Sequence, residues 1–334
     1  DEMDLTNLEM IILPGGLGGV ASARASQPAL DALQFAWEND KFVAAICAGP
    51  TVLSDLGITD GKNATCYPGC ESGMGSANMV TCAAIQDGRL ITGASAGCAI
   101  PFGLKLVEAL KGSNIKYQVG FNRRFDHNFA AARKAVADGQ IGDMDILKIC
   151  SRDPGAPPVE YVKVSGGIFL DMTIHDFDMA CFLTNSDVEE LYVYADALIN
   201  PGIREYGDFD TAIISMKMEN GALAVIDNSR QAMYGYDQRA ELFGSKGMVA
   251  TANDTLSTAV ISDANGVTGE KPLYFFLERY MGSFSEEVRQ FVDACVNDKE
   301  VPVGIHAGLQ SVKIALAAEK SANEGRPVKL SEIE

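Results

Sequence analysis

Ser165-Gly166-Gly167-Ile168-Phe169-Leu170-Asp171-Met172-Thr173-Ile174-His175-Asp176-Phe177-Asp178 is the stretch from which this chain is best read. Its apolar residues recur at helical spacing, which predicts one helix over residues 167–183. On that helix Asp171 and His175 stand at i and i+4 and share a face. A carboxylate placed there orients an imidazole and raises its basicity. The pair can then take the proton of an alcohol during its oxidation. The ordinary alternative is a surface pair or a satisfied core histidine. The glycines and apolar flanks favour a packed site of close approach.

The surroundings of this stretch are α+β. Downstream, alternating strands are expected over 190–199, 211–218 and 222–228, with Glu219-Asn220-Gly221 as a hairpin turn. More strand follows at 240–251 and 258–262, then helices at 285–296 and 307–322. Ser285 with Glu286, Glu287 and Arg289 reads as a charged helix start. Upstream, 115–121 reads as a strand and 128–137 as a helix. The strand at 115–121 could pair with the sheet edge of the preceding segment. The sheet of this part is expected to be open and mostly antiparallel.

The first third has a different style. Continuous apolar runs at 10–13, 42–46 and 90–93 alternate with helical patterns at 27–39 and 101–110. That is the signature of a parallel α/β sheet. The change falls near Ser113-Asn114, so two domains are expected, 1–113 and 114–334, in line with a length of 334 residues.

Composition narrows the function classes. The chain carries 45 acidic and 27 basic side chains, a net charge of −18, which disfavours nucleic acid and anionic lipid as partners. No apolar run reaches the roughly 18 residues of a membrane span. Eight scattered cysteines in a chain of this size point to a reducing, cytoplasmic setting rather than a disulfide framework. Cys66-x-x-x-Cys70 lacks a second ligand pair, so no metal is expected. The chain begins at Asp1 without a methionine, and an earlier segment is expected.

Ala44-Ala45-Ile46-Cys47-Ala48-Gly49-Pro50 places a cysteine where a buried strand turns into a helix. A side chain there projects from the carboxyl edge of the sheet. An inert core cysteine is the alternative. With Met10-Ile-Ile-Leu-Pro-Gly-Gly16, Ala64-Thr-Cys-Tyr-Pro-Gly69 and Leu90-Ile-Thr-Gly93, this segment resembles the ThiJ/PfpI family over about residues 4–112. The resemblance implies a flavodoxin-like fold and a nucleophilic or redox-sensing role for Cys47, faced by Gly15 and Gly16. It implies activities such as glyoxalase or deglycase. The family's first strand and helix, which carry a glutamate partner for the cysteine, are missing here.

Gly16-Leu17-Gly18-Gly19-Val20-Ala21 fits the dinucleotide fingerprint G-x-G-x-x-G/A on paper. No acidic residue ending a second strand follows in the right context, and the ThiJ/PfpI reading fits better.

From about Asn114 to the end the chain resembles the Gfo/Idh/MocA oxidoreductases, and within them the inositol dehydrogenases. The residues carrying this are the opening stretch, Val119-Gly-Phe-Asn-Arg-Arg-Phe-Asp126, Gln231-Ala-Met-Tyr-Gly-Tyr-Asp237, Glu241-Leu-Phe-Gly-Ser-Lys-Gly247, Lys271-Pro-Leu-Tyr-Phe-Phe-Leu-Glu-Arg-Tyr280 and Glu324-Gly-Arg-Pro-Val-Lys-Leu330. The resemblance implies oxidation of a polyol or sugar CH–OH with NAD, with Asp171 and His175 at the substrate and proton-relay positions. It implies substrate contacts from Asn122, Arg123, Tyr234 and Tyr236, and a homo-oligomer built on the C-terminal sheet. The family's Rossmann domain and its Glu-Lys-Pro lysine are not evident. Glu270-Lys271-Pro272 lies in another context, and Lys271 is expected in a surface loop. A chimeric or fused chain without catalysis is the remaining alternative.

Overall fold

The computed structural model describes Leu5, residues 8–110 and residues 116–333. The junction expected near 111–114 lies outside the described residues. The chain divides into two compact units, residues 1–115 with 164–166, and residues 116–163 with 167–334.

The first unit contains β1 (Met10–Leu13), α1 (Leu17–Ala25), α2 (Gln27–Glu38), β2 (Phe42–Ile46), α3 (Pro50–Asp55), β3 (Asn63–Ala64), β4 (Asn78–Met79), β5 (Ala84–Asp87), β6 (Leu90–Gly93) and α4 (Ala99–Ala109). Its main sheet has the order β1-β2-β6-β5, with β1, β2 and β6 parallel and β5 antiparallel to β6. Val43, Ala44 and Ala45 are fully buried because β2 is covered on both faces. Leu33, Val52, Leu53 and Ile58 pack on one side, and Ile91, Phe102 and Leu106 on the other. The helix α1 was not expected. It begins within the glycine loop at Leu17.

The second unit contains α5 (His127–Ala137), β7 (Met144–Arg152), α6 (Val159–Ser165), α7 (Gly167–Asp171), α8 (Ile174–Thr184), β8 (Val188–Asp196), β9 (Thr211–Met218), β10 (Leu223–Ser229), β11 (Asp237–Gly244), β12 (Gly247–Ala250), β13 (Val260–Asp263), β14 (Gly266–Gly269), α9 (Phe276–Arg279), α10 (Met281–Val296), α11 (Ile305–Glu324) and β15 (Val328–Lys329). Seven strands form one sheet in the order β12-β11-β7-β10-β9-β8-β15. Only the β7–β10 pair is parallel, so the expectation of a mostly antiparallel sheet holds. Along β9, Ala212, Ile214, Met216 and Met218 point inward while Ile213, Ser215 and Lys217 point out, the period of two that a one-sided sheet requires. Phe177, Met179 and Leu183 of α8, with Ile314, Ala315 and Ala318 of α11, complete that core.

Three local expectations are corrected. Residues 116–121 are not a strand. Val119 N–H donates to the Val303 carbonyl at 2.9 Å and Phe121 N–H to Val119 at 2.9 Å, so this backbone is satisfied inside the second unit without a ladder. The pairing of this segment with the first unit's sheet edge therefore has no support. Ser285 is not a cap: it lies inside α10 and its hydroxyl donates to the Met281 carbonyl at 3.1 Å. The strand expected over 240–251 is a hairpin of β11 and β12.

A fourth correction bears on the site. The helix expected over 167–183 is broken between Asp171 and Ile174. The N–H groups of Met172 and Thr173 both close on the Ile168 carbonyl, at 3.0 and 2.9 Å, and Asp176 N–H turns to Thr173 at 2.8 Å. Thr173 is drawn aside because its hydroxyl donates to Asn228 Oδ1 on β10 at 2.8 Å. Gly167 starts the segment at φ +78°, where a Cβ would lie 2.9 Å from Asp208 Oδ1. Ile168 N–H instead donates to that oxygen at 2.8 Å.

Candidate functional site

The break separates Asp171 and His175, and no hydrogen bond joins them. Asp171 ends α7. It accepts a hydrogen bond from Tyr161 Oη at 2.5 Å and pairs with Arg230 Nη2 at 2.8 Å. His175 opens α8. Its ring meets the edge of Phe121 at 5.9 Å between centroids. The expected orienting contact is thus replaced by a tyrosine and an arginine on the carboxylate side. Packing against an aromatic ring takes its place on the imidazole side.

Burial, then the nearby Arg123 charge, lower the His175 pKa from 6.5 to about 3. The imidazole is neutral at physiological pH, and its Nδ1 is enclosed without a hydrogen-bond partner. Burying an unpaired polar atom costs roughly 1–3 kcal/mol, so such an atom calls for an explanation. Two more lie nearby in the network. Asn122 Nδ2 precedes Arg123 in a short 3-10 turn, and Tyr280 Oη sits on a ring that is 1% exposed.

Arg123 links these groups. It is buried, and Nη1 donates to Asp176 Oδ1. Its guanidinium stands 5.9 Å from the Tyr280 ring centroid. Asp176 also accepts from Asn228 Nδ2 at 3.0 Å, the same amide whose oxygen holds Thr173. Tyr236 is buried and meets Tyr280 edge-on at 6.0 Å. Burial pushes its hydroxyl up to about 12, so it remains protonated and a donor.

Sequence reasoning missed Asp153, Arg230 and Tyr280. Asp153 lies 3.6 Å from Arg230 Nη1. Burial raises its pKa from 3.8 to about 6, against the pull of Arg230 and Arg123. Tyr280 closes a segment already quoted for its family resemblance. Arg230 directly precedes another. Asp153 had no signal of spacing at all.

The raised pKa of Asp153 makes a sign-definite prediction. Between about pH 4 and 6 the folded state holds a proton there that the unfolded chain has released. Stability therefore falls as pH rises through that window. Asp153→Asn is expected to be more stable than the parent at pH 7, by about 2 kcal/mol, with the difference closing toward pH 4. Paired urea titrations check this.

Tyr234 is not brought into the cluster. Its hydroxyl donates to Asp237 Oδ2 at 2.6 Å and accepts from Arg152 Nη1 at 3.1 Å. Lys271 is exposed outside any strand or helix, as expected. Asp126, His127 and Asp254 lie close enough to share an ion. Arg279 already pairs with both carboxylates, which makes the group an ion network. Among the described residues no helix is long and apolar enough to cross a membrane.

In the first unit Cys47 directly follows β2 at φ +63°, a strained backbone for a residue with a side chain. Gly15 lies so close to Cys47 that a Cβ on it would be 2.4 Å from the cysteine Cβ. The turn after β1 closes on the thiol. The tip of β2, which should offer an acid to a ribose, offers Cys47, Ala48 and Gly49. Glu38 and Asp40, near the required spacing, lie at the end of α2 and in the turn after it. These residues do not fit the dinucleotide.

Comparison with known proteins accords with both halves. Residues 1–109 match the DJ-1/PfpI family, and residues 129–250 match the GFO/IDH/MocA C-terminal domain. The uncharacterized oxidoreductase YrbE of Bacillus subtilis is 49% identical over 226 residues, covering 68% of this chain and 66% of that protein. The myo-inositol 2-dehydrogenase of Thermotoga maritima is 45% identical over 229 residues, 69% of each. The crystal structure of a putative myo-inositol dehydrogenase from Sinorhizobium meliloti 1021 superposes with a TM-score of 0.71 at 32% identity, covering 97% of this chain and 92% of that one. The chain spans about two thirds of the length of the curated relatives it matches. These similarities, together with the match of residues 129–250, show that the chain belongs to the Gfo/Idh/MocA oxidoreductase family.

Proposed function

We propose that the second unit is the substrate half of an inositol-type dehydrogenase, binding a neutral cyclic polyol through Asn122, Arg123, Asp171, His175 and Tyr236, with Tyr280 added by the structure. The observation that carries this reading is the set of enclosed, unpaired polar atoms around Arg123: Asn122 Nδ2, His175 Nδ1 and Tyr280 Oη. Hydroxyl groups donate and accept at once, so a polyol satisfies such a mixed set. The charges nearby are already matched. Arg123 pairs with Asp176, and Arg230 with Asp171 and Asp153. A sugar acid or an amine would leave an uncompensated charge.

In this reading the neutral imidazole of His175 accepts the proton of the reacting hydroxyl. Asp171, fixed by Tyr161 and Arg230, holds a neighbouring hydroxyl. A relative named scyllo-inositol 2-dehydrogenase (NAD(+)), from Bacillus subtilis and 33% identical, supports NAD as the hydride acceptor. The residues of this chain's first unit do not fit that group. The outward face of the seven-stranded sheet, where Ile146, Ile213, Leu223 and Phe243 stand exposed, supports the expectation of a homo-oligomer.

Melting of the whole chain tests the proposal. A cyclic polyol such as myo-inositol at about 100 times its dissociation constant is expected to stabilise the fold by about 2.7 kcal/mol. Gluconate at the same concentration is expected to give little. Stabilisation by gluconate instead of the polyol would reject the reading.

A further inference from the structure

We propose that the second unit holds a further binding site, a cavity at the C-terminal end of α8 that takes a free α-amino acid as its zwitterion, with Arg133 on the carboxylate and Asp187 and Glu219 on the ammonium group. The proposal does not depend on the polyol reading. His175 stands in the first turn of α8, and the cavity reaches the capping residue Asn185, roughly 15 Å further along the helix.

The cavity has a volume of about 790 Å³, within the range of small-molecule sites. The C-terminal half of α8, one side of α5, the β9–β10 turn and the start of α11 line it. Phe182 of α8 supplies its aromatic surface. The Arg124 and Arg133 guanidinium carbons stand 5.1 and 5.9 Å from that ring's centroid.

The two arginines are not equivalent. Arg124 is neutralised by Asp178, which accepts from Nη2 at 2.6 Å and from Nε at 2.9 Å. Arg133 meets no carboxylate among the described residues. Its Nη2 donates to the neutral Asn185 Oδ1 at 2.6 Å, and Nη1 and Nε have no acceptor among the described residues. Burial, then the Arg124 charge, lower the Arg133 pKa, as expected of a cation short of a counter-charge. A planar guanidinium with free donors suits a carboxylate.

The opposite charge gathers two residues beyond Asn185. Asp187 Oδ2 lies 3.2 Å from His306 Nε2 and accepts from Gln310 Nε2 at 3.2 Å, both on α11. Its Oδ1 has no partner among the described residues. Glu219 is fastened beside it, because the Glu219 N–H donates to the Asp187 carbonyl at 2.9 Å. The Glu219 carboxylate has no cationic partner among the described residues.

One unmatched cation thus shares a cavity with two carboxylates. A simple carboxylic acid would answer Arg133 and leave the acidic side uncompensated. A simple amine would do the reverse. An α-amino acid carries both charges on one carbon. The backbone from Asn185 to Asp187 spans at most about 7 Å, and a zwitterion with one hydrogen bond at each end spans roughly 8 Å. Its side chain would lie over Cys181 and Phe182, which line the same cavity.

The test is calorimetric titration of the whole chain at neutral pH with L-leucine, beside 4-methylpentanoate, which lacks the ammonium group, and 3-methylbutylamine, which lacks the carboxylate. A saturable heat is expected with L-leucine, and binding weaker by about tenfold or more with either single-charge relative. Arg133→Met is expected to weaken L-leucine binding by about tenfold or more, and Glu219→Gln by about threefold or more. Glu219 lies on an exposed turn, so its variant answers the question even where Arg133→Met fails to fold, which circular dichroism reads. No saturable heat with L-leucine, L-glutamine or glycine would overturn the proposal. So would equal affinity for 4-methylpentanoate, the mark of a plain anion site, or unchanged L-leucine affinity in either folded variant.

Discussion

Arg123→Met is expected to destabilise the second unit by about 3–5 kcal/mol, the largest loss in stability we foresee. Asp176 is fully buried and faces Arg123 across a buried ion pair. Methionine fills much of the same volume but carries no charge. Asp176 would keep the amide of Asn228 and the Ser151 side chain but no charged partner. Its carboxyl would then be protonated or unpaired, and either state costs free energy in a site closed to water. The disturbance would spread, because Asn228 also positions Thr173 and thus the break before α8. Urea unfolding of parent and variant reads the difference. A loss below about 1 kcal/mol would show that the pair does not hold the site together. Arg123→Lys should restore the charge but not the planar contact with the Tyr280 ring.

The second large effect concerns His175. His175→Ala is expected to weaken binding of a cyclic polyol by about 30- to 100-fold, the cost of leaving a buried hydroxyl without its acceptor. The same substitution also removes the ring that packs on Phe121, so a loss of about 2 kcal/mol in neutral-pH stability is expected beside the weaker binding. The linkage has a definite sign. His175 has a folded pKa of about 3 against 6.5 for a free imidazole. Below pH 6.5 the unfolded chain gains a proton that the folded state refuses, so the parent loses stability as pH falls toward 3. The alanine variant should lack that part of the acid sensitivity. Polyol affinity, as far as His175 sets it, should be level from about pH 5 to 8.

Much of the fold was legible because its signals are local. The runs at 42–46, 90–93 and 211–218 are the strands themselves. Glu219-Asn220-Gly221 makes the expected turn, with Gly221 at φ +91°. The site was less legible, for a reason that Thr173 makes plain. Helical spacing put Asp171 and His175 on one face. The helix breaks because Thr173 bonds to Asn228, 55 residues away in sequence. The partners of Asp171 are equally remote from any local pattern. Arg230 comes from the end of β10 and Tyr161 from α6. The segment 116–121 alternates like a strand, yet its partners are backbone and side-chain groups near residues 287–303, not a neighbouring strand. Tertiary contacts overrode periodicity in each case.

The two units pose separate chemical questions. In the first, the turn after β1 closes on Cys47 at Gly15, and the end of β2 offers no acid to a ribose. In the second, the charges around Arg123 are paired and three enclosed polar atoms are not. Adding NAD to the polyol-bound chain is therefore not expected to produce NADH from the first unit's own residues.

The most direct measurement is a calorimetric titration of myo-inositol into the whole chain at neutral pH, with His175→Ala beside it. The account predicts a saturable heat with the parent chain and a loss of about 30-fold or more in affinity with the variant, both proteins being folded by circular dichroism. No saturable heat with the folded parent, or equal affinity in the two proteins, would contradict it.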